Sequence, residues 1–324
     1  MPTEKDRLIA TISPSLTAAG PTRNSIPRSE VIQGLELRIA GTATEAGVAD
    51  GTLTSEGTLS LLRNVRVEGT SALRRNVGVI RNMDAAAMYR LYNMLYGYAS
   101  DFTEITPITK SSAASPFSLS LPIPFEMPHS EDERHSVLNG LELDSLDLNI
   151  DWGDPTDILS TGTWAFNTLT CEVTAREFTD KFSKDQRYSI HKVSYQEAIT
   201  TSANTRLAFS FNPGFMLRGI LFKQFTRTAY PHTPVETVIN SVALELDRTV
   251  KKEWAWNTLQ AMNARDYGVA IVDGYAFLDL MPKGRYDTLL DTSPFKNVEA
   301  ILNVNGVANS YVRAYAVEMI PANQ

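Results

Sequence analysis

The sequence PFSLSLPIPF, residues 116–125, places an apolar side chain at every second position, and the sequence LELDSLDLNIDWG, residues 141–153, repeats the pattern. The alternating apolar residues are Phe117, Leu119, Leu121 and Ile123 in the first segment and Leu141, Leu143, Leu146, Leu148 and Ile150 in the second. Successive side chains of a β-strand point to opposite faces, so this alternation predicts strands with one buried face. The two segments indicate antiparallel β-structure.

Strands are predicted along most of the chain. A third alternating segment contains Leu35, Leu37 and Ile39, and further runs are rich in β-branched and aromatic residues. These runs cover residues 164–178, 188–199, 207–211, 215–225, 235–246, 274–280, 298–304 and 311–320. Short strands without regularly interposed helices favour sandwiches or barrels over a parallel α/β sheet.

Three helices are predicted between the strands. The clearest begins after Asp84, a good N-cap residue, and ends at Gly97. A shorter helix is indicated by the capping box of residues 130–133 and ends at Gly140. A third helix is predicted over residues 250–264.

The order of elements occurs twice. The segments LELRIAG and GTLSLLRNVRVEG precede the first long helix, and GFMLRGILFKQFT and VINSVALELDR precede the third. After each of these helices come three strands in the same order. This self-similarity at half the chain length predicts two copies of one β domain. Eight-stranded antiparallel sandwiches of this size are commonly jelly rolls.

This architecture resembles the double jelly-roll major capsid proteins of tailless icosahedral bacteriophages, a lineage that includes tectiviruses, corticoviruses and the adenovirus hexon. The resemblance covers residues 30–321 and rests on the tandem β domains, the inserted helices, the N-terminal arm, the single cysteine and segments such as PFSLSLPIPF. It implies an all-β fold of two tandem eight-stranded antiparallel jelly rolls with short inserted helices. We predict a first jelly roll at residues 30–182 and a second at residues 183–324.

The same resemblance implies homotrimers that form pseudo-hexagonal tiles of a virion shell, with no enzymatic activity. The partners it implies are neighbouring trimers, vertex (penton) and minor capsid proteins, and the lipids of an internal membrane. It places the protein in the virion capsid after assembly in the host cytoplasm. Two alternatives stay open, namely a glycan-active or glycan-binding protein on two jelly rolls and a phage fibre or baseplate component.

Composition narrows the functional classes. The chain has 324 residues, with 30 basic and 37 acidic side chains, so it lacks the basic excess of a nucleic-acid-binding protein. Cys171 is its single cysteine, which excludes an intramolecular disulfide and cysteine-based zinc sites. No apolar run is long enough for a membrane span. No cofactor is predicted.

Residues 1–29 are predicted to form an extended N-terminal arm. Their net charge is +2 in a chain of net charge −7, which leaves −9 for the remainder. The apolar residues of the arm are spaced like one face of a short helix. The predicted contacts of the arm, with a membrane or a neighbouring subunit, involve Lys5, Arg7, Leu8, Ile9, Ile12 and Leu16.

Few residues of the sequence suggest chemistry. Common catalytic motifs are absent, and the four histidines are scattered. The acidic series 144–157 is the best candidate for an ion or an enzyme, but we interpret it as a solvated edge and loop because its carboxylates do not converge. Neither a catalytic nor a metal site is therefore predicted. Trp254 and Trp256 lie two residues apart in the third predicted helix and cannot both face one side of it, so we expect one to pack inward and the other to lie at an interface.

Overall fold

The structure is a computed structural model of the chain. The residues described are 4–45, 47, 50–72, 77–97, 102–103, 114–127, 136–179, 186–201, 203, 205–227, 230, 232–281 and 289–322. Strands dominate them, as predicted, and their two α-helices are α1 (Ala85–Tyr96) and α2 (Trp256–Tyr267). Short 3-10 helices span Gly57–Leu61, Gly140–Glu142 and Pro155–Asp157.

The strands fall into two groups along the chain. The first group is β1 (Glu4–Ile12), β2 (Gly20–Ser25), β3 (Val31–Glu45), β4 (Thr52–Leu53), β5 (Leu62–Thr70), β6 (Gly78–Met83), β7 (Phe102–Thr103), β8 (Ser115–Pro124), β9 (Leu138–Asn139), β10 (Ser145–Trp152), β11 (Leu159–Thr161) and β12 (Trp164–Phe178). The second group is β13 (Ile190–Thr200), β14 (Arg206–Phe211), β15 (Met216–Thr226), β16 (Thr233–Pro234), β17 (Ile239–Leu246), β18 (Thr249–Ala255), β19 (Tyr275–Asp279), β20 (Leu290–Asp291), β21 (Val298–Val304) and β22 (Ser310–Ile320).

Each group builds one antiparallel sandwich from eight main strands. In the first group, the strand order β1-β12-β3-β8 forms one sheet and β2-β10-β5-β6 forms the other. In the second group, the corresponding orders are β13-β22-β15-β19 and β14-β21-β17-β18. Numbered along the chain, the eight main strands are ordered 1-8-3-6 and 2-7-4-5 in both groups, and the helix follows strand 5. This order confirms the predicted pair of tandem jelly rolls and their duplicated element order.

Among the described residues, two large apolar cores lie between the sheets, beside a small third cluster of Val31, Val137 and Phe178. Leu35 and Leu121 of one sheet and Val65 and Leu148 of the other share the first core. Phe209, Val242, Ile220 and Val312 belong to the second core. Along β3, buried Leu35, Leu37 and Ile39 alternate with more exposed residues, as the sequence predicts. Helix α1 has the predicted bounds, with Asp84 as its N-cap and Gly97 in the left-handed conformation at its end.

The two jelly rolls share a sheet. Strand β6 of the first pairs in parallel with β13 of the second, through Arg81 opposite Val193 and Asn82 opposite Ser194. This short pairing joins four main strands of each jelly roll into one ten-stranded sheet.

The N-terminal segment differs from the prediction. Instead of a separate arm with a short helix, residues 4–12 form β1, which pairs with β12, and Gly20–Ser25 forms β2, which pairs with β10. A β-bulge at Ile9 shifts the alternation of β1. The bulge explains the error, because an extra residue in a strand gives its apolar side chains a spacing that resembles a helix.

Four further predictions need correction or lie outside the described residues. The helix predicted over residues 250–264 begins at Trp256, because β18 occupies Thr249–Ala255. Residues Gly140–Glu142 form a 3-10 helix instead of the start of β10. Most of the helix predicted after residue 130, and the boundary predicted at residue 182, lie outside the described residues.

Candidate functional site

The junction between the jelly rolls contains a buried ionic cluster centred on Asp84. The Oδ1 atom of Asp84 accepts a hydrogen bond from the backbone N–H of Ala87 at 2.8 Å and caps α1. From the second jelly roll, Arg313 Nη1 donates to Oδ2 at 2.9 Å and Lys223 Nζ lies 3.2 Å from Oδ1. The hydroxyl of Tyr315 also donates to Oδ2. One carboxylate therefore caps a helix of the first jelly roll and binds two cations of the second.

Glu56 is the second carboxylate of this cluster. Its Oε1 atom lies 2.7 Å from Lys223 Nζ and accepts a hydrogen bond from the Tyr275 hydroxyl. The side chain of Lys223 is fully buried. Asp84 and Glu56 come from the first jelly roll and Lys223 and Arg313 from the second, so the ion pairs of these four residues cross the junction. Arg313 also binds Glu197 of its own jelly roll at 2.7 Å.

The cluster changes the pKa values of its members. Burial alone would raise the pKa of Asp84, but the charges of Lys223 and Arg313 outweigh it, so this pKa lies well below its ordinary value. His232 stacks on Phe225 nearby. Burial, followed by the charges of Lys223 and Arg313, lowers the pKa of His232 to about 2. Asp84 is therefore ionised and His232 neutral near pH 7.

A second buried polar group lies beside the β6–β13 pairing. Arg81 of β6 donates to the backbone carbonyls of His191 and Pro124, and its Nη2 lies 3.1 Å from His191 Nδ1. Burial, followed by the charges of Arg81 and Arg218, holds the pKa of His191 well below its ordinary value. Arg81 thus uses hydrogen bonds to backbone carbonyls to link the two jelly rolls.

The outer face of the sheet β1-β12-β3-β8 carries an open groove of about 430 Å³ between this sheet and α1. We call it the outer groove. Its charged and polar lining includes Asp6, Glu36, Arg38, Glu172, Arg176 and Tyr89. Arg176 Nε lies 3.3 Å from Asp6 Oδ1, and Arg38 Nη1 lies 3.9 Å from Glu172 Oε2. Burial raises the pKa of Glu36, which accepts a hydrogen bond from Ser120.

The two buried polar clusters each contain residues of both jelly rolls. In the parts of the chain that the structure describes, no group of three or more His, Cys, Asp or Glu side chains could hold a metal ion. No helix among the described residues is long and apolar enough to cross a membrane.

Several solved structures align with nearly the whole chain. A Sulfolobus turreted icosahedral virus structure titled "Crystal Structure of the STIV MCP" aligns with a TM-score of 0.74 at 14% identity, over 98% of this chain and 97% of the other. The atomic structure of the same virus gives a TM-score of 0.75 at 14% identity, over 99% and 92% of the two chains. The major capsid protein P2 of bacteriophage PM2 aligns with a TM-score of 0.61 at 12% identity, over 98% and 97%.

The chain has the double jelly-roll fold of viral major capsid proteins. The resemblance seen in the sequence is therefore confirmed at the level of the fold. No family model matches the sequence, and no curated protein matches it.

The two basic residues of the predicted contact set, Lys5 and Arg7, form ion pairs within the chain. Lys5 Nζ lies 3.8 Å from Glu177 Oε2, and the guanidinium of Arg7 donates to Oε1 of the same carboxylate. The side chain of Glu177 is fully buried. The structure thus brings Lys5 and Arg7 together on one face of the β1–β12 pair, around Glu177.

The apolar residues predicted to line one helix face lie in different environments. Leu8 is 58% exposed, whereas Ile12 is 5% exposed and belongs to the first core. Ile9 and Leu16 are partly buried against that core. Leu8 is therefore the one member of the four that presents most of its side chain at the surface.

The two tryptophans also differ in exposure. Trp256 begins α2, is 2% exposed and donates from Nε1 to Glu236 Oε2 at 2.7 Å. Trp254 lies on β18 and is only partly buried against the second core. Trp256 thus packs inward, and an interface role for Trp254 stays a prediction.

The acidic series does not form one site. Asp147 pairs with Arg23 at 2.9 Å, and Asp157 pairs with Arg63 at 2.6 Å. Asp154 caps the 3-10 helix Pro155–Asp157. The histidine pair considered at the sequence level, residues 129 and 135, lies outside the described residues.

Sequence reasoning identified Asp84 as a helix cap but missed its ionic partners. The available signal was a cation inside an otherwise apolar strand, as in GILFKQF around Lys223 and SYVRAYAV around Arg313. A charge at such a position requires a buried partner. The sequence does not reveal which carboxylate supplies it.

Proposed function

We propose that the chain is a major capsid protein whose homotrimers tile the shell of an icosahedral virion. Its location would be the virion capsid, after assembly in the host cytoplasm. The observation that carries this proposal is the alignment of nearly the whole chain, end to end, with a major capsid protein at a TM-score of 0.61 and with a turreted icosahedral virus structure at 0.75.

The duplicated fold supports a trimer. Each chain contributes two jelly rolls of the same strand order. Three chains would therefore present six similar domains around one axis, which matches a hexagonal tile. Closed rings of this kind need a head-to-tail contact between unlike surfaces of adjacent copies.

The proposed partners are neighbouring trimers, vertex and minor capsid proteins, and internal membrane lipids. For the N-terminal contact residues Lys5, Arg7 and Leu8, a neighbouring copy is the favoured partner. Both cations already bind Glu177, and a polybasic surface for lipid headgroups would need several unpaired cations.

We infer that the protein is not an enzyme. The ion pairs of Asp147 and Asp157 and the helix cap formed by Asp154 assign structural roles to carboxylates of the acidic series. A glycan-active protein would need paired carboxylates free to act as acid and base on opposite sides of a sugar.

The test is the mass and shape of the purified chain. Light scattering coupled to size exclusion should give a particle of three times the 35.8 kDa chain mass, and electron microscopy should show six-lobed discs. A monodisperse monomer at micromolar concentration, with no larger species in viral extracts, would contradict the proposal. An oligosaccharide array serves as the opposing assay, because binding by such a monomer would favour the glycan-binding alternative.

A further inference from the structure

The two jelly rolls of one chain meet through β6 and β13. Because the fold is duplicated, each of these strands has an equivalent strand in the other jelly roll, and in the described residues that equivalent strand makes no such contact. Strand β6 is strand 5 of the first jelly roll, and β18 is strand 5 of the second. Strand β13 is strand 1 of the second jelly roll, and β1 is strand 1 of the first. In the described part of the chain, β1 and β18 each have a sheet neighbour on one side only.

Strand β18 aligns with β6 through two independent landmarks. Each strand contains one extra residue opposite its neighbour, Ile80 in β6 and Lys251 in β18. Each strand is also followed at once by its helix, whose N-cap is Asp84 in the first jelly roll and Ala255 in the second. Both landmarks give the same register, which matches Lys252 with Arg81 and Glu253 with Asn82.

Strand β1 aligns with β13 through its neighbours. Strands β3 and β15 each contain an extra residue, Gln33 and Arg218, followed by a glycine. The glycines, Gly34 and Gly219, lie opposite Arg176 of β12 and Val317 of β22. These two residues in turn lie opposite Asp6 of β1 and Val193 of β13. The register therefore matches Asp6 with Val193 and Arg7 with Ser194.

We propose that β18 of one copy pairs in parallel with β1 of the next copy, in the way that β6 pairs with β13 within the chain. The intrachain pairs Arg81–Val193 and Asn82–Ser194 then become intermolecular pairs of opposite charge. These pairs are Lys252 with Asp6 and Glu253 with Arg7. This inference rests on the proposed trimer and assigns its contact.

Charge complementarity at both positions supports the register. A shift of β1 by one residue in one direction would place Arg7 opposite Lys252, and a shift in the other would place Lys5 there. Like charges directly opposite each other destabilise a strand pair, whereas opposite charges stabilise it. The side chain of Asp6 is 63% exposed, although it lies 3.3 Å from Arg176, and β18 is exposed from Thr249 to Glu253, so the Lys252–Asp6 pair is accessible to a partner. The side chain of Arg7 is 30% exposed and already binds Glu177, so Glu253 would be a second carboxylate for its guanidinium.

The apolar residues beside these charges follow the same correspondence. Met83, at the end of β6, is fully buried at the junction, whereas its counterpart Trp254 is only partly buried. Tyr195 of β13 packs against Tyr315, whereas its counterpart Leu8 is 58% exposed. Docking of a second copy would cover both Trp254 and Leu8.

The outer groove lies on the first jelly roll. Its position corresponds to the surface of the second jelly roll that contacts the N-terminus of α1 within the chain. By the same register, Arg38, Thr174 and Glu172 of the groove occupy the positions of Lys223, Tyr315 and Arg313. Those three residues bind the N-terminus of α1 through Asp84. The corresponding terminus of α2 begins at Ala255 and has no side-chain cap. In the proposed contact it faces Glu172 of the neighbouring copy, an anion suited to a helix N-terminus.

The test is disulfide trapping with Asp6→Cys and Lys252→Cys in one chain. Adjacent strands lie about 4.8 Å apart, within reach of a disulfide. Mild oxidation should give covalent dimers and trimers, with no higher species, on a non-reducing gel. Mixing chains that carry only Asp6→Cys with chains that carry only Lys252→Cys should give covalent dimers, which shows that the link is intermolecular. The native Cys171 is buried and should contribute no background.

The matched control is Asp6→Cys with Arg265→Cys, because Arg265 is exposed on α2 outside the proposed contact. A trimer by light scattering without the Asp6–Lys252 link, or with equal linking in the control, would overturn the contact and leave the trimer intact. A ladder that continues beyond three chains would support the contact and overturn the closed trimer. A monomer without links would overturn both.

Charge exchange gives a second readout without cysteines. Lys252→Glu places a carboxylate opposite Asp6 and should raise the concentration for half-dissociation of the trimer at least tenfold. Adding Asp6→Lys should restore most of the loss. Equal dissociation of the single and double variants, at unchanged thermal stability, would contradict the proposed pairing.

Discussion

Arg313 donates a hydrogen bond to Asp84 at 2.9 Å across 229 residues of sequence, and both side chains are buried. The contact joins a strand in the middle of one sheet to the N-cap of a helix in the other jelly roll. The side chain that caps α1 therefore also contacts the second jelly roll.

The first prediction is that Asp84→Ala destabilises the whole chain. The substitution removes the cap of α1 and leaves Lys223 and Arg313 without this buried carboxylate. Removing one partner of a buried ion pair costs about 3–5 kcal/mol. Urea unfolding should show this loss, with Asp147→Asn as a control because Asp147 pairs with the exposed Arg23. Equal midpoints for the two variants would show that the cluster does not stabilise the junction.

The second prediction concerns acid. In the folded chain His232 has a pKa of about 2, below the ordinary value of 6.5, so the unfolded state binds a proton more readily. The stabilisation from neutral His232 is therefore present above pH 6.5 and is lost as the pH falls below it. Between pH 7 and pH 5 the loss should be about 2 kcal/mol.

His232→Phe tests this prediction, because it keeps an aromatic ring stacked on Phe225 and removes the titrating group. On going from pH 7 to pH 5, the change in the unfolding free energy measured in urea should be about 2 kcal/mol more unfavourable in the parent than in the variant. Glu318 is present in both the parent and the variant, and its titration changes the stability with pH in the direction opposite to that of His232. Burial raises its pKa to about 7, so its contribution favours the folded state below pH 4.5 and is lost as the pH rises towards 7. A parent and variant with the same pH dependence would refute the role of His232.

How much of this could be read from the sequence depends on how local each signal is. Helix α1 was predicted with its bounds because Asp84 and Gly97 are local cap signals, and Gly97 adopts the expected left-handed φ of 64°. The start of α2 was misplaced because the extra residue Lys251 disturbs the alternation of β18. The ionic cluster was not predictable, because its partners are brought together only by the packing of two domains.

The third prediction is that Gly41→Ala destabilises the first jelly roll. A Cβ atom at Gly41 would lie 2.6 Å from the backbone oxygen of Thr168 and 2.7 Å from the ring of Phe117. Overpacking of this kind typically costs about 1–3 kcal/mol. The matched control is Gly20→Ala, where no atom lies within 4 Å of the added carbon. Thermal unfolding should separate the two variants, and an unaffected Gly41→Ala protein would contradict the close approach.

The fourth prediction is that Cys171 is unreactive in the folded chain. Burial raises the pKa of its thiol to about 12, from an ordinary value near 8.5. At pH 8 this lowers the thiolate fraction by roughly a thousandfold, and the thiolate is the reactive form. Labelling with a thiol reagent should therefore be slow in buffer and rapid in urea. Rapid labelling of the folded protein would show that β12 opens locally.

The last prediction uses the four tryptophans as reporters of assembly. Trp152, Trp164 and Trp256 are at most 6% exposed, whereas Trp254 is only partly buried on β18. Acrylamide should therefore quench the dissociated chain mainly through Trp254. Trp254→Phe should remove most of that quenching, whereas Trp256→Phe should leave it in place. If β18 meets β1 of the next copy, assembly should also protect Trp254 in the parent, and quenching that stays the same on assembly would place Trp254 outside the contacts that form on assembly.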